Sequence, residues 1–274
     1  MNVKMSKPVT FRSDRPLSND TIACYAPSVF ADSARDDLGH RYAFIPTIDV
    51  VEGMRAEGFE PYEVRQTRVR NPDNREFTRH MLRMRHATAL RTGDGVGEII
   101  LLNSHDGTSS FQLMSGFFRM VCSNGIIAGD VAADCRVRHT RTSHVVQDVT
   151  DAAFRVIDDL KNVGNHIEQF KAIPMTHDQQ VLFAGAALQL RYDDKAPVQA
   201  THLLTARRWE DRKDDLWTTF NRVQENMLKG GVQGRTATGR NMSTRAVGGV
   251  NENVKLNKAL WVLAEGYAQL AGIK

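Results

Sequence analysis

The sequence predicts an α+β fold: a helix, a three-stranded antiparallel meander and a second helix, followed by a mostly helical C-terminal half. Three observations carry that expectation. Before about residue 146, short alternating segments are punctuated by Gly, Pro and Asn. After it, long segments keep apolar residues at steps of four and three. The 274 residues, 41% hydrophobic and 25% charged, have the composition of a globular chain and not of a disordered or fibrous one. This division gives an α+β basic-meander domain at 1–146 and a helical region at 147–274, expected to pack together as one unit.

Taken in order, Thr47 is placed to cap a helix over Ile48–Glu57 that Gly58 ends. Tyr62–Arg70 alternates and reads as a strand, and Asn71-Pro72-Asp73-Asn74 is turn chemistry. Glu76–His86 alternates more clearly: His80, Leu82, Met84 and His86 share one face, Phe77, Arg79, Met81, Arg83 and Arg85 the other. The glycines of Gly93–Gly97 turn the chain into a third strand, Glu98–Asn103. Ser115 is placed to cap a short helix through Phe117–Cys122, stopped by Asn124-Gly125.

In the second half, one stripe runs Val149, Ala153, Val156, Leu160, Val163, Ile167, Phe170. Others run Leu216, Phe220, Val223, Met227 and Leu256, Leu260, Leu263, Tyr267, Leu270, so three amphipathic helices are expected. A fourth, His177–Arg191, is announced by the capping-box spacing of Thr176 and Gln179. Asp214-Asp215 suits a helix N-terminus. Lys229–Asn251 holds six glycines without helical period and reads as a mobile loop.

Lys and Arg number 36 against 32 Asp and Glu, a net charge of only +4, so an anionic partner must be met by local clusters. Two stand out. Between Arg65 and Arg91 there are eight arginines against Asp73 and Glu76, a local +6. Arginine suits phosphate because its planar fork binds two oxygens at once. Arg68 and Arg70 on one strand and Arg79, Arg83 and Arg85 on the next are candidate phosphate holders, with Phe77 as a candidate base-stacking ring. Arg119 either joins this patch or pairs internally. The second cluster, Lys229, Arg235, Arg240, Arg245, Lys255 and Lys258 against Glu252, sums to +5. The plain reading of both is solvated, ion-paired surface; two such clusters in a chain of +4 favour a polyanion.

Enzyme chemistry finds weaker footing. The loop Asn103-Ser104-His105-Asp106-Gly107-Thr108-Ser109-Ser110 offers a His-Asp pair and hydroxyls for phosphate, yet turn chemistry accounts for the same residues. Cys122 is more simply a small buried hydrophobe than a nucleophile with His105 as base. His80 and His86 read as core-edge histidines, while His139 and His144 fall in a polar connector. No metal-ligand spacing emerges, so neither metal nor organic cofactor is expected. Sparse cysteines (Cys24, Cys122, Cys135), a first twenty residues without an apolar stretch, and no apolar run near ~20 residues predict a cytoplasmic protein without a membrane span.

The stretches RYAFIPTIDV, GFEPYEVRQTRVRNPDNREFTRHMLRMRH, EIILLNSHDGTSSFQL, GFFRMVCSNGI, ENMLKGGVQGR and NVKLNKALWVLAE resemble an uncharacterised phage/plasmid-related family of prophages and conjugative plasmids, over about Arg15 to Ala264. In architecture, a helix, a basic meander and a helix are similar to the core of the single-strand annealing superfamily. That resemblance implies rings or filaments that hold single-stranded DNA in a cationic groove and pair complementary strands without ATP. The expected function is thus DNA binding by a mobile-element protein, with strand annealing in homologous recombination. Its partners would be single-stranded DNA, further copies of the chain, and an exonuclease or single-strand-binding protein. Two alternatives stand beside it: an anti-restriction or anti-defence protein binding a host protein, and a metal-dependent nuclease using His105 and Asp106.

Overall fold

The computed structural model describes residues 9–39, 42–120, 124–128, 135–137, 145–192, 196–235 and 239–272. In chain order the elements begin with β1 (Val9–Arg12), α1 (Asn19–Tyr25), α2 (Thr47–Ala56), β2 (Phe59–Gln66), β3 (His80–His86), β4 (Gly95–Asn103) and β5 (Phe111–Arg119). They continue with β6 (Asn124–Ile127), β7 (Cys135–Val137), α3 (Val145–Ala172), α4 (His177–Tyr192) and α5 (Ala200–Leu203). The last are α6 (Leu216–Lys229), β8 (Gln233–Arg235), β9 (Asn241–Ser243) and α7 (Val250–Leu270). The chain divides into two compact units, Met1–Phe118 with Gly129–Lys161, and Arg119–Ala128 with Asn162–Lys274. The division falls within α3.

The first unit contains the expected meander: β2, β3 and β4 pair antiparallel in sequence order. It is the middle of a larger sheet, because β1 pairs with β2, β5 follows β4, and β7 pairs with β5. One sheet face packs a core of Ile22, Val50, Met54, Phe59, Val64, Leu82, Leu101 and Val156, supplied by α1, α2, the strands and α3. Each such side chain, fully buried, is worth roughly 1.5–3 kcal/mol. Phe59 and Val64 differ in parity yet share this core, and a bulge reconciles them. Pro61 pairs with Met84 and Glu63 with Arg83, so Tyr62 is an extra residue that switches the faces of β2. Glu63 is thereby turned into the opposite face.

Three local expectations need correction. Thr47 is the first residue of α2 and not its cap; the cap position is Pro46, and the Thr47 hydroxyl is used in a buried network described below. Strand β2 ends at Gln66 and β3 begins at His80, so residues 67–79 form a loop around a 3-10 turn at Pro72–Asn74. Asn71 accepts the Asp73 amide across that turn, at 3.1 Å. The helix expected over Phe117–Cys122 is instead the end of β5: Phe111, Leu113, Met114, Phe117 and Phe118 are all buried, and a strand covered on both faces shows no alternation. Ser115 caps nothing; its hydroxyl donates to Asp159 at 2.8 Å.

The helical periods are as expected. Every residue of the Val149–Phe170 stripe is buried, as are Leu216, Phe220, Val223 and Met227. In α7 the stripe holds at Leu256 and Leu260 and fails at Leu270, which is 91% exposed. In the second unit Phe170, Phe220 and Trp261 pack ring to ring, at 5.3 Å and 5.9 Å from the tryptophan. Thr176 and Gln179 form the reciprocal capping box of α4, and Asp215 caps α6 by accepting the Thr218 amide at 2.6 Å. No helix among the described residues is long and apolar enough to cross a membrane. Cys122, His139 and His144 lie outside the described residues.

Candidate nucleic-acid interface

Within the densest arginine cluster of the sequence, the strand arginines Arg65, Arg83 and Arg85 are ion-paired internally, while Arg68, Arg70, Arg75 and Arg91 are exposed. Register sets Glu63 beside Arg83, and Glu98 on β4 meets the same guanidinium, at 3.5 and 3.2 Å; all three side chains are at most 2% exposed. Arg85 pairs with Glu98 at 2.9 Å, and Arg12 and Arg65 pair with Glu63. Burial pushes the Glu63 carboxyl up, but the charges of Arg83, Arg12 and Arg65 outweigh it and hold the group below the usual carboxylate value. Four guanidiniums against two carboxylates leave a surplus, which aromatic faces absorb. Arg12 and Arg85 lie over Phe118 at 4.2 and 4.7 Å, and Arg85 over Tyr62 at 4.3 Å.

The expected phosphate track therefore breaks up. Arg83 is sealed between its acids, and Arg85 is occupied on both its edge and its plane. Arg79 donates to the Thr108 carbonyl, and Phe77 is half-buried with its carbonyl accepting the His105 amide. Arg68 and Arg70 are exposed on the 67–79 loop, away from any strand. Arg119 pairs internally: it is buried in the second unit against Asp211 at 2.5 Å.

The loop after β4 is equally closed. His105 is fully buried, with Thr47 Oγ1 at 3.4 Å and the ring of Phe44 beside it. Asn103 donates to Thr47, and Thr47 meets His80, whose other nitrogen faces Ser28 at 2.8 Å. Burial, with His105 beside it, pushes the His80 imidazole well below its ordinary value. Asp106 accepts from both the amide and the hydroxyl of Thr108, an ordinary Asx turn with Gly107 at φ +74°. The nuclease reading gains nothing here, since a fully buried imidazole has no open face toward a phosphodiester. No group of three potential ligands for a metal occurs among the described residues. Asn124 starts β6 and stops no helix; its side chain lies outside the described residues.

The second cluster differs. The segment expected as a mobile loop is a hairpin: Gln233 pairs with Ser243, Gly234 with Met242 and Arg235 with Asn241. Gly230 ends α6 at φ +62°, where a Cβ would lie 2.5 Å from the Arg245 carbonyl carbon. A Cβ on Gly234 would sit 2.1 Å from the Pro197 oxygen, which accepts the Arg235 amide at 3.1 Å. Glycine thus lets the hairpin lie against the Pro197 segment. By strand parity Gln233, Arg235, Asn241 and Ser243 share one face, and all four are exposed.

That face borders an open groove. Two depressions of about 590 and 560 Å³ share His202 and Gln233 in their walls; Arg235 and Asn241 line one, Arg207 and Asn226 the other. Arg240 and Arg245 are exposed on the same segment. The Arg245 carbonyl accepts from Arg191, which also holds the Met227 carbonyl, so the flank of the hairpin is tied to α4 and α6. Lys229 pairs with Glu225 at 2.8 Å, Lys255 is exposed on α7, and Lys258 is half-buried. The sequence reading missed Arg207, His202 and Gln233 as groove residues; only the fold brings them together.

A family model described as Domain of unknown function (DUF932) matches residues 36–261. Two proteins of Escherichia coli (strain K12), UPF0380 protein YfjQ and UPF0380 protein YafZ, are each 44% identical to this chain over 255 residues, covering 93% of it and 92% of their own length. No solved structure gives a significant match. With a family model over most of its length and such relatives, the chain belongs to the DUF932 family.

Proposed function

We propose that this chain binds single-stranded DNA along the groove beside the β8–β9 hairpin, and that it pairs complementary strands without ATP. The observation that carries the reading is the exposed hairpin face. Arg235 and Asn241 line the groove, Arg240 and Arg245 stand exposed on the same segment, and no carboxylate is interleaved from Lys229 to Asn251. Exposed guanidiniums release counterions when they meet phosphate. Gln233, Asn241 and Ser243 add neutral donors and acceptors for sugar and base edges. Annealing follows from such binding because pairing is downhill once two strands are held extended. The likeness to the single-strand annealing superfamily is what selects this activity.

The test has two stages. Anisotropy of a labelled oligo-dT at low salt should rise with added protein, and two complementary labelled oligonucleotides should pair faster with protein than alone, with no nucleotide present. Unchanged anisotropy at micromolar protein contradicts the binding; binding without faster pairing removes the annealing and leaves a single-strand binder.

A further inference from the structure

His202 and Gln233 line both depressions of the groove. Arg235 lines only the first and Arg207 only the second, so the shared pair separates two guanidiniums. No carboxylate lines either depression among the described residues. Arg207 is held by neutral oxygens, Asn226 Oδ1 at 2.7 Å and the Gly230 carbonyl at 2.5 Å, which orient its fork without a counter-charge.

The His202 ring is set by its own turn. The His202 amide donates to the Gln199 carbonyl at 3.0 Å, and the Gln199 amide donates back to His202 Nδ1 at 3.3 Å. An N–H aimed at Nδ1 makes that nitrogen an acceptor, so the neutral ring carries its proton on Nε2. A second proton on Nδ1 would point at the Gln199 amide hydrogen. With Nδ1 turned to the backbone, the polar edge that exposed His202 has left is an Nε2–H donor at the shared wall. The exposed Gln233 carboxamide adds a donor and an acceptor at the same wall.

The build of a strand selects what this wall meets. Phosphates recur along a nucleic acid with nucleosides between them. A strand that gives phosphates to Arg235 and Arg207 therefore brings a nucleoside to the neutral pair. A neutral N–H competes poorly with two guanidiniums for phosphate, but it matches an uncharged base carbonyl.

We infer that His202, with Gln233 at the same wall, is a base-reading residue whose Nε2–H donates to a base carbonyl of the strand. This rests on the single-strand binding proposed above and adds a contact to bases at a side chain that the fold orients.

The experiment measures the affinity of the full chain for oligo-dT and for an abasic oligonucleotide of equal length, at several salt concentrations. Two variants separate the two ring nitrogens. His202→Asn puts an oxygen where Nδ1 stands, which keeps the bond from Gln199, and no polar atom where Nε2 stands. His202→Gln reaches the Nε2 position with its carboxamide. His202→Asn should weaken oligo-dT roughly two- to tenfold, the worth of one neutral hydrogen bond, and keep the salt slope because a neutral donor releases no counterion. The same variant should bind the abasic strand as the wild type does and keep its thermal midpoint, and His202→Gln should retain most of the oligo-dT affinity. If the wild type binds oligo-dT and His202→Asn binds it equally well, the base contact is wrong and the groove survives. If the asparagine variant weakens both strands alike, or makes the salt slope shallower by about 0.7, the ring serves the fold or a phosphate and the inference fails. If the wild type binds neither strand, base reading and groove fall together.

Discussion

Two arginine-rich regions meet opposite fates in this chain. On the sheet, Arg12, Arg65, Arg83 and Arg85 converge on Glu63 and Glu98 and on two aromatic rings, so the strand-borne part of the densest cluster is spent inside the first unit, while Arg68, Arg70, Arg75 and Arg91 stay exposed outside the strands. In the second unit, Arg235, Arg240 and Arg245 ride an exposed hairpin with no carboxylate interleaved. The difference teaches that charge density along a chain does not measure charge offered to a partner. What decides is whether strand register delivers carboxylates to the same face.

The comparison breaks most visibly if the sheet cluster is disturbed. Glu98→Gln strips Arg83 and Arg85 of a buried counter-charge, and removing one partner of such a network costs about 3–5 kcal/mol. Urea unfolding should show that loss, and a change below about 1 kcal/mol would mean that the sheet arginines are not held as described. Next in size is Gly234→Ala. The added methyl would meet the Pro197 oxygen, and forcing it in costs roughly 1–3 kcal/mol, read as a lower thermal midpoint together with weaker oligonucleotide binding.

Much of this architecture was legible before any coordinates. The stripes of α3 and α6 are fully buried because a 3.6-residue period needs no knowledge of the partner surface. The meander was legible from alternation, and His80 with Leu82 and Met84 indeed points to the core side. Strand β5 was not, since FQLMSGFFR is covered on both faces and carries no period to read. Nor was the quenching of the sheet arginines: Glu63 and Glu98 come within reach of Arg83 only through the pairings of β2 and β4 with β3. At the hairpin the residue types were visible, but the glycines that read as mobility are a helix end and a close approach.

A third prediction separates the interior of the first unit from the binding surface by pH. His80 is held well below its ordinary 6.5 by burial and by His105, so the folded chain takes up that proton less readily than the unfolded chain. Stability is therefore full above that ordinary value and declines as pH falls beneath it, by up to about 1.4 kcal/mol per pH unit. Urea titrations from neutral to mildly acidic pH should show this slope, and it should flatten in His80→Gln; an equal slope in both would assign the response elsewhere. The smallest effect belongs to Arg68→Ala with Arg70→Ala. Both are exposed on a loop, and their loss should change stability by no more than about 0.5 kcal/mol in the same assay.

The central claim, that the hairpin and not the sheet offers its arginines to phosphate, is tested most directly by the salt dependence of oligo-dT affinity. For the wild type, log affinity should fall linearly with log salt. Arg235→Ala with Arg240→Ala should weaken binding and make that slope shallower by about 1.4, two contacts at ~0.7 each. A double variant that keeps the wild-type slope, or a wild type that shows no binding at low salt, would contradict it.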